Sequence, residues 1–134
     1  LLALAVVFGV LLPLHEGIHA LVYKGMGAAD IRFSFATKAL AVYTCANRHV
    51  VHLREIIPLA IAPFLAISAL LVVLAGYFPD YRLFFAWALV IHAVLCGGDF
   101  ILIAYAVRNR NRDLYNYDDV ALGKSYFFER RNPA

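Results

Sequence analysis

Charged residues are scarce in this chain of 134 residues: they account for 16% of it, whereas hydrophobic residues account for 63%. Soluble domains are closer to half apolar, so the composition indicates a membrane protein. Cysteine is also rare, with only Cys45 and Cys96, one in a predicted loop and one in a predicted membrane helix. This arrangement indicates neither a disulfide framework nor a CxxC metal site.

Three apolar stretches are long enough to cross a bilayer, which takes about 20 residues. They cover about 1–23, 53–77 and 83–107. The fold class predicted is therefore an α-helical membrane protein with three transmembrane helices. We do not expect the first stretch to be a cleaved signal peptide, because it lacks a basic start and is too long.

The basic residues predict the orientation of these helices. All of them except Arg82 lie between Lys24 and Arg54 or from Arg108 onward. Three crossings put that loop and that tail on one side, which the positive-inside rule makes cytoplasmic. We therefore expect a membrane-embedded core at 1–107 and a polar cytoplasmic tail at 108–134. The net charge of +3 is explained by topology, so a lipid bilayer is the expected partner and nucleic acid is not.

The loop at about 28–46 has the alternation of a strand rather than the period of a helix. Ile31, Phe33 and Phe35 alternate with smaller or polar residues, and Leu40 and Val42 continue the period of two. This pattern predicts two short strands that form a β-hairpin at the membrane interface.

The first apolar stretch contains the motif His15-Glu16-Gly17-Ile18-His19. On a helix, residues four apart project from one face, so His15 and His19 can bind the same metal ion. Glu16 can then act as general base toward a water on that metal without being a ligand. Two histidines and a glutamate inside an apolar segment are costly, which favours a functional site over a structural polar contact.

A catalytic zinc needs a third protein ligand, and Asp99 is the candidate. Asp99 lies nine residues before Arg108, and His15 lies nine before Lys24, so each is about 13 Å from the same membrane edge. Gly97 and Gly98 are expected to let two backbones approach closely. His92 should lie roughly 10 Å deeper than Asp99, which favours a supporting role over ligation. One Zn²⁺ per chain, bound by His15, His19 and Asp99, is the resulting prediction.

Four segments together resemble a known family. HEGIHALVYKGMGA, the strand-like stretch, REIIPLAIAPFLA and GGDFILIAYAVR are similar to the small putative zincin membrane peptidases of bacteria and archaea, which are related to site-two proteases. The resemblance implies zinc-dependent proteolysis in or beside a cell membrane, with the same three ligands and Glu16 as base. It also implies that the segment from Ile31 to Thr44 holds a membrane protein or peptide substrate by strand addition.

Two other functions remain open from the sequence. One is a zinc hydrolase that acts on a lipid or a modified membrane substrate. The other is a metal-binding scaffold without catalysis, although such a protein would not need Glu16. Three helices form a thin wall around a metal, so a homo-oligomer is a further expectation.

Overall fold

The computed structural model describes residues 2–36 and 41–130. Within them the chain forms five α-helices and five β-strands. The helices are α1 (Leu2–Val6), α2 (Leu12–Gly25), α3 (Leu53–Tyr77), α4 (Arg82–Leu95) and α5 (Gly97–Arg108). The strands are β1 (Ile31–Ala36), β2 (Ala41–Ala46), β3 (Val50–His52), β4 (Leu114–Asp119) and β5 (Lys124–Glu129).

Two helical segments are each long and apolar enough to cross a membrane: Leu4–Gly25, in which a π-helical turn joins α1 to α2, and α3. A third crossing exists if the bent pair of Pro79–Leu95 and Gly97–Arg108 is one span. Large apolar side chains point outward on these helices, for example Leu21, Val94 and Ile101, each at least 69% exposed. Outward apolar side chains are what a lipid environment requires.

The third predicted helix, 83–107, is not continuous, which corrects the sequence-based prediction. It bends by 50° between α4 and α5. Cys96 lies between the two helices, and Gly97 and Gly98 begin α5. Glycine is a poor helix former because it loses the most backbone freedom on folding. The break therefore falls at the residues that stabilise a continuous helix least.

A single stripe of α2 and the turn before it faces inward. Leu11, His15, His19 and Tyr23 follow one another at intervals of four and are all buried. Residues at this spacing lie on one face of an α-helix. The stripe has apolar ends and a polar middle, so the two histidines lie between two apolar layers. Leu11 belongs to a cluster with Ile67 and Ala88, whereas Tyr23 belongs to a second cluster around Leu53 and Ala106.

The predicted hairpin between the first two helices is present as β1 and β2. The strands are antiparallel, with Ile31 opposite Ala46 and Phe33 opposite Thr44. Leu40, which belongs to the predicted strand pattern, lies outside the described residues. At the base of the hairpin, the Asp30 carboxylate accepts hydrogen bonds from Arg32 Nε at 3.0 Å and Asn47 Nδ2 at 2.6 Å. The hydrogen bond from Arg32 is the main reason that the pKa of Asp30 lies below its usual value.

The predicted polar tail folds into a β-hairpin. Strands β4 and β5 pair antiparallel, and β4 also pairs with β3 to give the order β3-β4-β5. The sheet is linked to the start of α3 by His52, whose Nδ1 accepts from the Arg54 backbone N–H while its Nε2 lies 3.2 Å from Asp113. Leu114 at the start of β4 is 4% exposed and packs in the cluster that contains Leu53.

We expect Leu114→Ala to destabilise the sheet, because truncating a buried leucine removes apolar contacts and leaves a cavity. Such substitutions cost about 2–5 kcal/mol. Amide hydrogen exchange of β3, β4 and β5 in detergent should report this loss as faster opening. The control is Leu122→Ala, since Leu122 is 62% exposed in the turn between β4 and β5. Equal exchange rates in the two variants would mean that the sheet does not depend on this packing.

Candidate metal centre

Three side chains from two helices converge between the two apolar clusters. His15 and His19 come from α2 and Asp99 comes from the first turn of α5. The Nε2 atoms of the histidines are 3.1 Å apart. Asp99 Oδ2 lies 3.1 Å from His15 Nε2, and Asp99 Oδ1 lies 3.4 Å from His19 Nε2. The structure thus brings together the three residues that the sequence analysis named as metal ligands; their ligation of a metal stays a prediction.

The separations between these atoms fit a zinc ion. Zinc binds histidine nitrogen and carboxylate oxygen at about 2.0–2.2 Å in a tetrahedron, so its ligand atoms are about 3.3 Å apart. The observed distances of 3.1–3.4 Å, measured to one or the other oxygen of Asp99, are close to that value. Two nitrogens and one oxygen are also one of the ligand sets of catalytic zinc sites, which keep a further position open. His15, His19 and Asp99 can thus hold the ion.

His19 is oriented by a backbone carbonyl of α3. Its Nδ1 lies 3.2 Å from the carbonyl oxygen of Leu59. A carbonyl only accepts, so Nδ1 carries the proton and Nε2 keeps its lone pair toward the metal position. The usual helical donor to Leu59 is the N–H four residues later, and that residue is Pro63, which has none. The proline thereby frees the carbonyl that fixes the tautomer of His19.

His15 is supported from the opposite side by α4. Its Nδ1 lies 3.3 Å from His92 Nε2 and 3.9 Å from Cys96 Sγ. His92 is 2% exposed and stacks on Phe64. His92 thus contacts a predicted ligand through the ring nitrogen remote from the metal position. This agrees with a supporting role and not with direct ligation of the same ion.

Glu16 is buried, with 6% of its surface exposed, and it is tied to the hairpin. Thr44 Oγ1 on β2 lies 2.8 Å from Glu16 Oε2 and 3.0 Å from the Glu16 carbonyl oxygen. A hydroxyl has a single hydrogen, which these two acceptors share. The contact fixes the carboxylate relative to β2. The sequence analysis placed Thr44 on a strand without giving it this contact.

A cavity of about 580 Å³ opens over the metal position. His15, Glu16, His19 and Asp99 form part of its lining. Residues of both hairpins line it as well: Tyr43, Thr44 and Cys45 from β2, and Asn116, Asp118, Ser125 and Phe127 from β4 and β5. The tail residues were missed from the sequence, because their approach depends on the pairing of β4 with β3.

The two glycines before Asp99 do not mediate close packing, which corrects the sequence-based expectation. A Cβ atom built on Gly97 or Gly98 would meet nothing within 4 Å. Gly98 instead lines the cavity beside Asp99. Its lack of a side chain leaves space next to the predicted ligand.

We expect His15→Ala, His19→Ala and Asp99→Ala each to lose the bound zinc of detergent-purified protein. Each change removes one of only three protein ligands, which a catalytic zinc site needs. Metal analysis of the purified variants beside wild type measures this directly. His49→Ala is the control, because His49 lies outside the cavity. Full zinc occupancy in Asp99→Ala would remove Asp99 from the ligand set.

We expect Pro63→Ala to weaken zinc binding by about 10-fold, the lower end of the effect of losing a partner that orients a ligand. The new N–H would compete with His19 for the Leu59 carbonyl. Alanine should at the same time favour the helix, so the variant separates metal affinity from fold stability. Competition with a zinc chelator measures the affinity. Pro58→Ala is the matched control, since it restores a donor to Arg54, away from the site; an equal effect of both variants would contradict the mechanism.

Comparison with known proteins agrees with this geometry. Residues 8–115 match a family described as "Putative zincin peptidase". No curated protein and no solved structure matches the chain. The matched range includes α2, the first hairpin, α3, α4 and α5 and therefore all three predicted ligands. Because the match covers well over half of the chain, the protein belongs to this zincin peptidase family.

Proposed function

We propose that the protein is a zinc-dependent endopeptidase that cleaves membrane proteins or peptides within the bilayer or at its surface. The observation that carries the proposal is the convergence of His15, His19 and Asp99 beside Glu16 in one cavity. The helical segment that supplies His15 and His19 is long and apolar enough to cross a membrane. The family match supports a metallopeptidase as the broader class.

The bound zinc would be held by His15, His19 and Asp99, one ion per chain. Zinc in such a site supplies Lewis acidity, which makes a water nucleophilic near neutral pH and polarises the scissile carbonyl. The role of the chain is to hold the ligands in fixed tautomers and orientations. The Leu59 carbonyl fixes the tautomer of His19, and the contact with His92 restrains the orientation of His15.

Glu16 is the proposed general base. It follows His15 directly on α2, so it faces the same cavity without belonging to the ligand set. Its carboxylate would take a proton from the attacking water and return it to the amine of the leaving strand. The hydrogen bond from Thr44 holds one carboxylate oxygen toward β2. The general base Glu16 and the proposed substrate-binding strand β2 are thus fixed relative to each other.

Strand β2 is the proposed docking edge for the substrate. Three consecutive residues, Tyr43, Thr44 and Cys45, line the cavity. Successive side chains of a strand point to opposite faces, so this lining means that β2 turns its backbone edge toward the cavity. In the described part of the chain, β2 pairs only with β1. An extended peptide could therefore add to β2, which favours a peptide over a lipid substrate.

The tail hairpin is the proposed opposite wall for that peptide. Asn116 pairs with Phe127, and Asp118 pairs with Ser125. Cross-strand partners project on the same face of a sheet, so these four side chains form one surface toward the cavity. Substrate side chains would contact this surface while the substrate backbone pairs with β2.

The hairpins also bear on the proposed orientation. Three of the strands adjoin helix ends that carry basic residues: β1 follows α2 with Lys24, β3 precedes α3 with Arg54, and β4 follows α5 with Arg108. The positive-inside rule supports a cytoplasmic location for this end of the molecule. Water and the unwound substrate would then reach the metal from the cytoplasmic edge.

We expect Glu16→Gln to keep its zinc and to lose cleavage activity by about 10²–10⁴-fold, the usual contribution of a general base. The assay uses labelled transmembrane peptides in liposomes with zinc-loaded protein. Glu55→Gln is the control, because Glu55 caps the start of α3 outside the cavity. Equal cleavage by Glu16→Gln and wild type would remove Glu16 as the base. If zinc-loaded wild type leaves every peptide intact but hydrolyses a lipid, the peptidase proposal is wrong and a lipid hydrolase takes its place.

A further inference from the structure

A second group of metal-binding side chains lies behind His15. His92 and Cys96 are one helical turn apart at the end of α4, and they are 2% and 0% exposed. Both face the Nδ1 atom of His15, which is the ring nitrogen remote from the zinc position. Proteolysis as proposed above gives the Cys96 thiol no role.

The distances within this group fit a metal ion. His15 Nδ1 and His92 Nε2 are 3.3 Å apart, and Cys96 Sγ lies 3.6 Å from His92 Nε2 and 3.9 Å from His15 Nδ1. An ion with metal–sulfur bonds of about 2.3 Å and metal–nitrogen bonds of about 2.0–2.1 Å needs N···N of about 3.3 Å and N···S of roughly 3.6–3.8 Å. All three ligand atoms are therefore close to the required spacing.

Within this group, hydrogen-bond donors outnumber the acceptors. When His15 Nε2 keeps its lone pair for zinc, the hydrogen is on Nδ1, and His92 Nε2 has one lone pair to accept it. The thiol of Cys96 approaches the same nitrogen at 3.6 Å. Two hydrogens thus compete for one acceptor. An ion in their place would take lone pairs from all three side chains.

Charge selects the kind of ion. Binding would release the proton of the Cys96 thiol and the Nδ1 proton of His15, which leaves a thiolate and an imidazolate. A divalent cation neutralises these two charges, and neutrality is what a site of such low exposure requires. Thiolate and imidazole ligands favour a thiophilic ion such as Zn²⁺ or Cd²⁺.

We propose that His15, His92 and Cys96 form a second site, for a thiophilic divalent cation, in which His15 bridges this ion and the zinc held by its Nε2 atom. Gly98 and Leu95, which flank the group in sequence, line the cavity, so an ion has a short path from it. The proposal does not depend on peptidase activity. It requires that the two ring nitrogens of His15 face different ligand groups: Nδ1 faces His92 and Cys96, and Nε2 faces Asp99.

Titration of zinc-free protein with Co²⁺ tests the second site. A cobalt ion bound to a thiolate gives a sulfur-to-cobalt charge-transfer band, whereas a site of histidine and carboxylate gives only the weaker visible bands of tetrahedral cobalt. We expect about two ions per chain in wild type, with a charge-transfer band that accompanies one of them. Cys96→Ser should bind about one ion and lose the charge-transfer band. The remaining visible bands of that variant show that it is folded.

Two further variants make the outcome decisive. Cys45→Ser should keep the band, because Cys45 belongs to β2, donates to the Arg32 carbonyl and has a pKa raised by burial. The double variant His19→Ala/Asp99→Ala removes the first site and should still show the band with about one ion. The proposal is overturned if wild type binds one ion without the band, if Cys96→Ser keeps it, or if the double variant lacks it. Loss of peptide cleavage in any of these proteins bears on the proposed function alone.

Discussion

The structure depends on enclosing polar side chains among helices that are apolar enough to cross a membrane. Two histidines, a glutamate and an aspartate would each be costly in contact with lipid. The helices solve this by turning one polar layer inward, with apolar clusters above and below it. Every other feature of the site follows from that constraint, because each polar atom of the layer needs a partner from a neighbouring helix or strand.

Those partners come from parts of the chain that are distant in sequence. His19 uses a carbonyl of α3, His15 uses a side chain of α4, and Glu16 uses a hydroxyl of β2. The carbonyl is available because of Pro63, the second proline of α3 and about three turns into that helix. A residue that is usually read as a source of kinks therefore has a chemical consequence here. The proline and the histidine that it serves are in different helices.

Local patterns predicted the parts of the structure that local physics decides. Residues spaced by four on a helix must share a face, so His15 and His19 could be paired from the sequence. Strict alternation made the first hairpin predictable, and rise per residue indicated that Asp99 lies level with the histidines, beside which the structure places it. The second hairpin was not predicted, because β4 is stabilised by pairing with the three-residue strand β3 and by burial of Leu114. Neither partner is visible in the local sequence.

The break at Cys96 shows a different limit. Hydropathy reports that 83–107 is apolar, but it does not report direction, so a helix bent by 50° looks the same as a straight one. The Gly-Gly pair was a visible signal, and it was interpreted as a packing surface. Its effect is to begin a new helix and to leave space beside Asp99. Distinguishing these roles requires knowing which neighbour faces the glycines.

The wall formed by β4 and β5 has a consequence for biosynthesis. Chains are made from the N-terminus, and segments fold as they emerge. The HExxH helix and its hairpin are therefore complete while the last strands are still unmade. Until β4 pairs with β3, the metal position lacks one side of its cavity. The order of residues along the chain therefore lets the predicted metal ligands come together before the cavity wall that is the proposed substrate surface has formed.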